Sequence, residues 1–119
     1  MDPLKRLETD SRLSNLLKAW EVLRTSHREV PAQAVTCLLY VAGHNPCHKQ
    51  AIEEDCLLTS ASCSRMIALL ADGLGRKGVK TPGLGLITKY IDPGNGRRYM
   101  CKLTPKGEQL VSTIKNHIY

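Results

Sequence analysis

At 119 residues, 42% hydrophobic but only 4% aromatic (Trp20, four Tyr and no Phe), the chain holds one domain with a modest core of Leu, Ile, Val, Ala and Met. No apolar run approaches the roughly 20 residues that span a bilayer, Met1 to Asp10 lacks the apolar centre of a secretion signal, and five cysteines without a CxxC pair do not make a secreted disulfide scaffold, so the expectation is a cytoplasmic protein with no membrane partner. The net charge is +6, and from Gly73 to Lys106 eight bases face the single acid Asp92, a local balance of +7 that leaves the remaining residues at −1; a polyanion is the natural partner of charge so concentrated.

In chain order, Leu13, Leu16, Leu17, Trp20 and Leu23 fall on one helical stripe, with Asp10 or Ser11 as its cap. Leu4 and Leu7 lie on nearly the opposite face of the same helix if it runs on unbroken; they form a separate turn or meet a partner chain. Pro31 suits the first turn of a second helix with Val35, Leu38, Leu39 and Ala42 on its apolar face, ended by Gly43, Asn45 and Pro46. A short third helix runs from about Lys49 to Cys56 with Ile52 inward. Thr59 caps a fourth, in which Cys63, Met66, Ile67 and Leu70 share a buried stripe. Ala61, Ser64, Arg65 and Ala68 lie opposite, a small and polar face that can approach another surface closely. Gly73 to Gly85 reads as a loop. Leu86 to Asp92 is a strand, Pro93-Gly94-Asn95-Gly96 a turn with Asn-Gly as its hairpin signal, and Arg97 to Leu103 the return strand. Thr104 caps a last helix that starts at Pro105 and turns Leu110, Val111, Ile114 and Ile118 inward. This order predicts a mainly α fold with a small β-hairpin, a winged helix-turn-helix occupying residues 1–119 as one domain with helical extensions at both ends.

Four pieces between Val30 and Leu110 carry a family likeness. They are Val30-Pro31-Ala32-Gln33 followed by Leu38 and Leu39, the run Thr59-Ser60-Ala61-Ser62-Cys63-Ser64-Arg65-Met66-Ile67, Gly85-Leu86-Ile87, and Arg97-Arg98 followed by Leu103-Thr104-Pro105-Lys106-Gly107. In this order and spacing they resemble the second helix, recognition helix, wing start and wing exit of the MarR family of regulators. The resemblance implies a sequence-specific binder of double-stranded DNA, a repressor-like transcription regulator that works as a homodimer on a pseudo-palindromic site by occupying it. Three features depart from the family pattern. Asn95 stands two residues before Arg97 where the family has Asp, the loop from Leu70 to Gly85 is longer, and the helix that follows in family members, which builds the dimer and a ligand pocket, is not matched. Dimer surface and small-molecule effector are therefore left open. The rival readings are an accessory factor in replication, partition or phage biology, and a winged helix used for protein contact.

The candidate DNA contacts follow. Thr59, Ser60, Ser62, Ser64 and Arg65 start the fourth helix; serines bond phosphates or base edges, and Arg grips a guanine edge with two bonds. Arg97 and Arg98 follow the hairpin turn, where strand alternation sends them to opposite faces, one toward a minor groove and one bracing the hairpin. Lys89 lies on the same hairpin. Arg76, Lys77 and Lys80 add phosphate contacts or keep a loop soluble. Lys49 and Gln50 start the third helix, where a phosphate can sit. The same features without a ligand are an amphipathic helix with a polar outside and a hairpin protected by edge charges. His44, Cys47 and His48 lack the second ligand pair of a metal site. Cys63 is packing; redox sensitivity of Cys47 and Cys56 is left open, with no neighbouring base evident to lower their pKa. Glu53, Glu54 and Asp55 point in three directions and read as a solvated helix end. Gly83-Leu84-Gly85 lacks the Lys-Ser/Thr of a phosphate loop. No nucleophile, base and orienting group assemble, so the expectation is a protein without catalytic activity, cofactor or metal.

Overall fold

A computed structural model describes residues 10–27, 29–74 and 81–118. The elements are α1 (Ser11–Ser26), α2 (Ala32–Gly43), β1 (Cys47–His48), α3 (Lys49–Asp55), α4 (Ser60–Leu70), β2 (Gly73–Leu74), β3 (Thr81–Pro82), β4 (Ile87–Asp92), β5 (Asn95–Leu103) and α5 (Pro105–Ile118). Local chemistry sets the helix starts. The Asp10 carboxylate accepts from the Arg12 and Leu13 amides at 2.9 and 3.3 Å, and Thr59 Oγ1 accepts from the Ser62 amide at 3.0 Å. Thr104 Oγ1 accepts from the Gly107 amide at 3.0 Å and donates to the Gly85 carbonyl at 2.6 Å, so one hydroxyl caps α5 and ties it to the start of the wing. Pro31 sits one residue ahead of α2, its carbonyl accepting from Ala34 and Val35.

The core lies where α2, α3 and α4 meet the sheet. Leu38, Val41, Ile52, Ile67, Leu70, Leu86 and Ile87 are its fully buried side chains, with Cys37, Cys63 and Cys101 filling the gaps between them. β5 is the central strand of a three-stranded antiparallel sheet in the order β1-β5-β4. α1 packs on α5 through Ala19 and Leu23 on one side and Val111 and Ile114 on the other, and these four join the same continuous core. Among the described residues no helix is long and apolar enough to cross a membrane.

Several sequence expectations change. The five-residue stripe of the first helix is not an interior face: Leu23 is buried, but Leu16 and Trp20 are 57% and 48% exposed, and Leu13 and Leu17 stand as open. Leu39 and Ile118, expected on inner faces, are also exposed. The segment read as a loop holds a short ladder in which Gly73 pairs with Pro82 and Leu74 with Thr81. Its base leaves no room for a side chain, since a Cβ on Gly83 would lie 2.2 Å from the Ala71 carbonyl oxygen. The strand β1 was not expected at all. The hairpin turn is centred on Pro93-Gly94, not Asn95-Gly96, because Asp92 already pairs with Asn95. Both flanks are claimed by side chains: Asp92 Oδ1 accepts from the Gly94 amide at 2.9 Å and Asn95 Oδ1 from the Arg97 amide at 3.1 Å. Leu4, Leu7, Arg76, Lys77 and Lys80 lie outside the described residues.

Candidate nucleic-acid interface

α3, a four-residue turn and α4 form the helix-turn-helix. Cys56 closes α3, and the exposed Leu57 then takes a left-handed conformation, φ 56°, to swing the chain toward the Thr59 cap. Leu58 fixes that swing by donating its amide to the Glu53 carbonyl at 3.0 Å. With Cys63, Met66, Ile67 and Leu70 buried, α4 presents Ser60, Ala61 and Arg65 to solvent, while Ser62 and Ser64 are half-buried at the margins. Among the described residues Arg65 forms no ion pair. The face offered is small, uncharged at its start and cationic one turn in, the shape and polarity that a major groove admits.

α3 is less available than its sequence suggests. Lys49 turns inward and pairs with the Glu53 carboxylate, its side chain 11% exposed. Gln50 stays on the surface and donates to Glu54 Oε1 at 3.2 Å. Tyr40 on α2 donates its hydroxyl to Asp55 Oδ2 at 2.5 Å. That hydrogen bond to a carboxylate pushes the Tyr40 pKa up to about 12. Each carboxylate of the acidic run thus has its own partner, and the run is an internal brace as much as a solvated end.

The wing is the β4–β5 hairpin. Its ladder runs from Ile87↔Leu103 to Ile91↔Tyr99, and the next pair is Asp92↔Asn95. Gly96, Arg97 and Arg98 therefore stand outside the ladder as a bulge, and simple alternation does not govern the two arginines. Both are exposed. Arg98 borders a shallow cleft with His48, Gln50, Ala51 and Glu54, which brings the wing against the first turns of α3. The wing is also joined to β1: His48 Nδ1 lies 3.8 Å from Asp92 Oδ2. On the blades of the hairpin, Lys89 Nζ sits 4.5 Å above the Tyr99 ring and Lys102 Nζ 5.2 Å above the Tyr90 ring. Tyr99, Tyr90 and Lys102 were not singled out from the sequence as contact residues; the diagonal spacing of Lys and Tyr across a hairpin is the signal that places them together.

The remaining sequence candidates have structural surroundings. Cys37, Cys47, Cys63 and Cys101 are buried thiols and Cys56 is half-buried. Burial pushes the Cys47 thiol up to about 11 and Cys101 to about 12, and raises Cys56 as well, the opposite of an activated thiolate. His44 stacks on Tyr40 with ring centroids 4.3 Å apart. Among the described residues no three His, Cys, Asp or Glu side chains gather as a metal would require.

No family model and no curated protein sequence matches the chain. Solved structures do. The transcriptional regulator Tm0710 from Thermotoga maritima is similar with a TM-score of 0.69 at 15% identity, over 99% of this chain and 74% of that one. RV1404 from Mycobacterium tuberculosis gives 0.69 at 15% identity, over 89% and 65% of the two chains. MarR gives 0.61 at 20% identity, over 88% and 71%. At these identities the likeness is one of fold: five helices and a small three-stranded antiparallel sheet in the MarR-like winged-helix arrangement. The chain spans about two thirds to three quarters of the length of these proteins.

Proposed function

We propose that this protein binds double-stranded DNA in a sequence-specific way and acts as a cytoplasmic transcription regulator of the repressor type, by occupancy of its site. The observation that carries the reading is the pairing of a small, polar-faced helix α4 bearing an exposed Arg65 with a wing whose bulge exposes Arg97 and Arg98. The first meets the geometry of major-groove readout, and the second supplies charge at the distance of the flanking backbone. The likeness in fold to solved transcriptional regulators supports the same assignment. In this reading Thr59, Ser60, Ser62, Ser64 and Gln50 position the helix on phosphates, Lys89 and the basic segment containing Arg76 and Lys77 add backbone contacts, and Lys49 acts through its pair with Glu53.

The functional unit is a homodimer. Leu16, Trp20, Leu39 and Ile118 border one groove between α1, α2 and α5, and Leu13 and Leu17 are exposed on the same stripe of α1. Monomers seldom expose contiguous apolar surface of this kind, and a two-fold related copy covers it with its like.

Affinity measurements on a selected preferred duplex and a scrambled one, at two salt concentrations, test the proposal. With about five phosphates neutralised, log K falls with log salt at a slope of about −4 to −5. Arg65→Ala costs about 1–3 kcal/mol on the preferred duplex and flattens preference at one base pair. Arg97→Ala with Arg98→Ala weakens both duplexes alike and makes the slope shallower by about 1–2 units. A slope near zero removes the electrostatic reading, and an equal loss on both duplexes for Arg65→Ala removes base readout from that residue.

A further inference from the structure

Side chains two apart on a strand share a face. On one face of the wing Ile87, Lys89 and Ile91 of β4 therefore stand with Leu103, Cys101 and Tyr99 of β5. The inner members of this set, Ile87, Cys101 and Leu103, are buried in the core. The outermost cross-strand pair is not: Ile91 is 57% and Tyr99 46% exposed. The core face of the sheet thus runs on beyond the core and ends in an apolar pair held out on a two-stranded ribbon. The strands have no difficulty carrying polar residues where water is the neighbour, since Thr88 and Lys102 pair directly on the other face.

What surrounds this pair is cationic. The Lys89 ammonium lies over one side of the Tyr99 ring. Arg97 and Arg98 follow in the bulge immediately beyond Tyr99. The one acid of the wing, Asp92, is turned to its own backbone and to His48. A surface that is apolar at its centre and positive at its edge, with the wing's own carboxylate turned away and Glu54 of α3 bonded to Gln50, matches a partner that is polyanionic outside and apolar inside. A nucleic-acid groove has that construction, with phosphates along its rims and deoxyribose carbons along its walls.

We propose that Ile91 and Tyr99 form an apolar wedge that seats against the deoxyribose walls of the minor groove, with Lys89, Arg97 and Arg98 on the phosphates at its rims. The inference rests on the DNA-binding reading above and gives the wing a second task besides charge. Contact of this kind reads groove width and deformability, so the wedge favours narrow, A·T-rich sequence beside the bases read by α4.

Fluorescence anisotropy on duplexes of about 24 base pairs, long enough for two half-sites, tests the wedge. The duplexes are a selected site, the same site with A·T flanks replaced by G·C, and the same site with flanking adenines replaced by 2,6-diaminopurine, which adds an amino group to the minor groove and leaves the phosphates unchanged. Ile91→Thr with Tyr99→Thr keeps strand-forming residues on an exposed face. It is expected to raise Kd about tenfold while leaving the log K against log salt slope unchanged, because no phosphate contact is lost. It is also expected to abolish the preference for A·T over G·C or diaminopurine flanks. Tyr99→Phe keeps the ring and retains both affinity and preference. Binding by the unsubstituted chain with unchanged Kd in the double variant, or with equal affinity for all three flanks, overturns the wedge alone. Loss of salt slope in the double variant assigns the two residues to phosphate contact and also overturns it. No binding of any duplex by the unsubstituted chain overturns the DNA-binding reading and the wedge together.

Discussion

α1 and α4 carry apolar stripes of equal clarity, and the fold treats them oppositely. In α4 the four stripe residues are all buried, because α2, α3 and the sheet close around that side. In α1 four of five lie open, because the helix rests on α5 through Ala19 and Leu23 and nothing in the described chain reaches its outer flank. Periodicity decides which residues share a face; only tertiary placement decides whether that face is covered. A helix whose open side is polar is complete as a monomer, whereas one whose open side is Leu, Leu, Leu and Trp leaves apolar surface in water, the surface that the proposed dimer covers.

The largest expected effect follows from that contrast. Leu17→Glu with Trp20→Glu charges the open stripe without touching Ala19 or Leu23. Light scattering is expected to give about twice 13.2 kDa for the unsubstituted chain and 13.2 kDa for the variant. Circular dichroism is unchanged, and affinity for a duplex with two half-sites falls by about 100-fold as the linkage between them is lost. A variant that stays dimeric places the interface elsewhere; an unsubstituted chain that is monomeric at tens of micromolar, well above a typical micromolar Kd, removes the dimer.

α4 and α5, on which α1 rests, are joined at one tight spot. Leu84, Gly85 and Leu86 donate their amides to Leu69, Ala71 and Leu70 at the end of α4, while Leu86 and Gly85 accept from Thr104 at the start of α5. Gly107 presses on this joint, where an added Cβ would lie 2.0 Å from the Leu86 carbonyl oxygen. Backbone cannot give way there as a flexible side chain can. Gly107→Ala is expected to cost about 2–4 kcal/mol in urea unfolding, and a loss below the error of the fit would show that the joint yields.

Smaller effects compare the caps. Asp10 caps α1 with two amide bonds and Thr59 caps α4 with one, so each change to Ala is expected to cost about 1 kcal/mol. On the proposed reading only Thr59→Ala also weakens DNA binding, since that reading places α4, and not α1, against the bases. Equal effects on binding would mean that both act through stability alone. The smallest effect runs the other way. Leu57 holds a left-handed backbone while 91% exposed, and glycine takes that conformation without strain. Leu57→Gly is therefore expected to raise stability by less than about 1 kcal/mol, the strain relieved being partly offset by the greater freedom of an unfolded glycine. A fall in the urea midpoint would mean that the exposed side chain contributes more than its backbone costs.

Much of the fold was legible because its signals are local. Thr59, Thr104 and Pro105 announce helix starts by their own chemistry, and Cys63, Met66, Ile67 and Leu70 keep helical time. What was not legible depends on distant neighbours. Cys47 and His48 are too short a run to look like a strand and become one by pairing with Cys101 and Met100. The hairpin turn moved by two residues because Asp92 and Asn95 side chains took backbone amides that the Asn-Gly signal leaves out of account. The candidate interface was readable as residue types on α4 and the wing. The inward turn of Lys49 was hidden, since it depends on Glu53 one turn later, and so was the exposed pair Ile91 and Tyr99, whose alternation looks the same whether the core extends beneath it or stops.

The edge strand β1 precedes α4, yet its partner β5 follows it, and the bond from the Leu103 amide to Asn45 Oδ1 spans 58 residues of sequence. During synthesis α2, α3 and α4 leave the ribosome with that edge unpaired and with the space filled later by Cys101 and Leu103 still vacant. The core shared by the helix-turn-helix is thus completed by residues made after it. A nascent or prematurely terminated chain lacking β5 carries every side chain of α4, and α2 and α3 to pack against it, but lacks the central strand of the sheet and with it the wing; on the proposed reading it holds only one of the two surfaces that meet DNA.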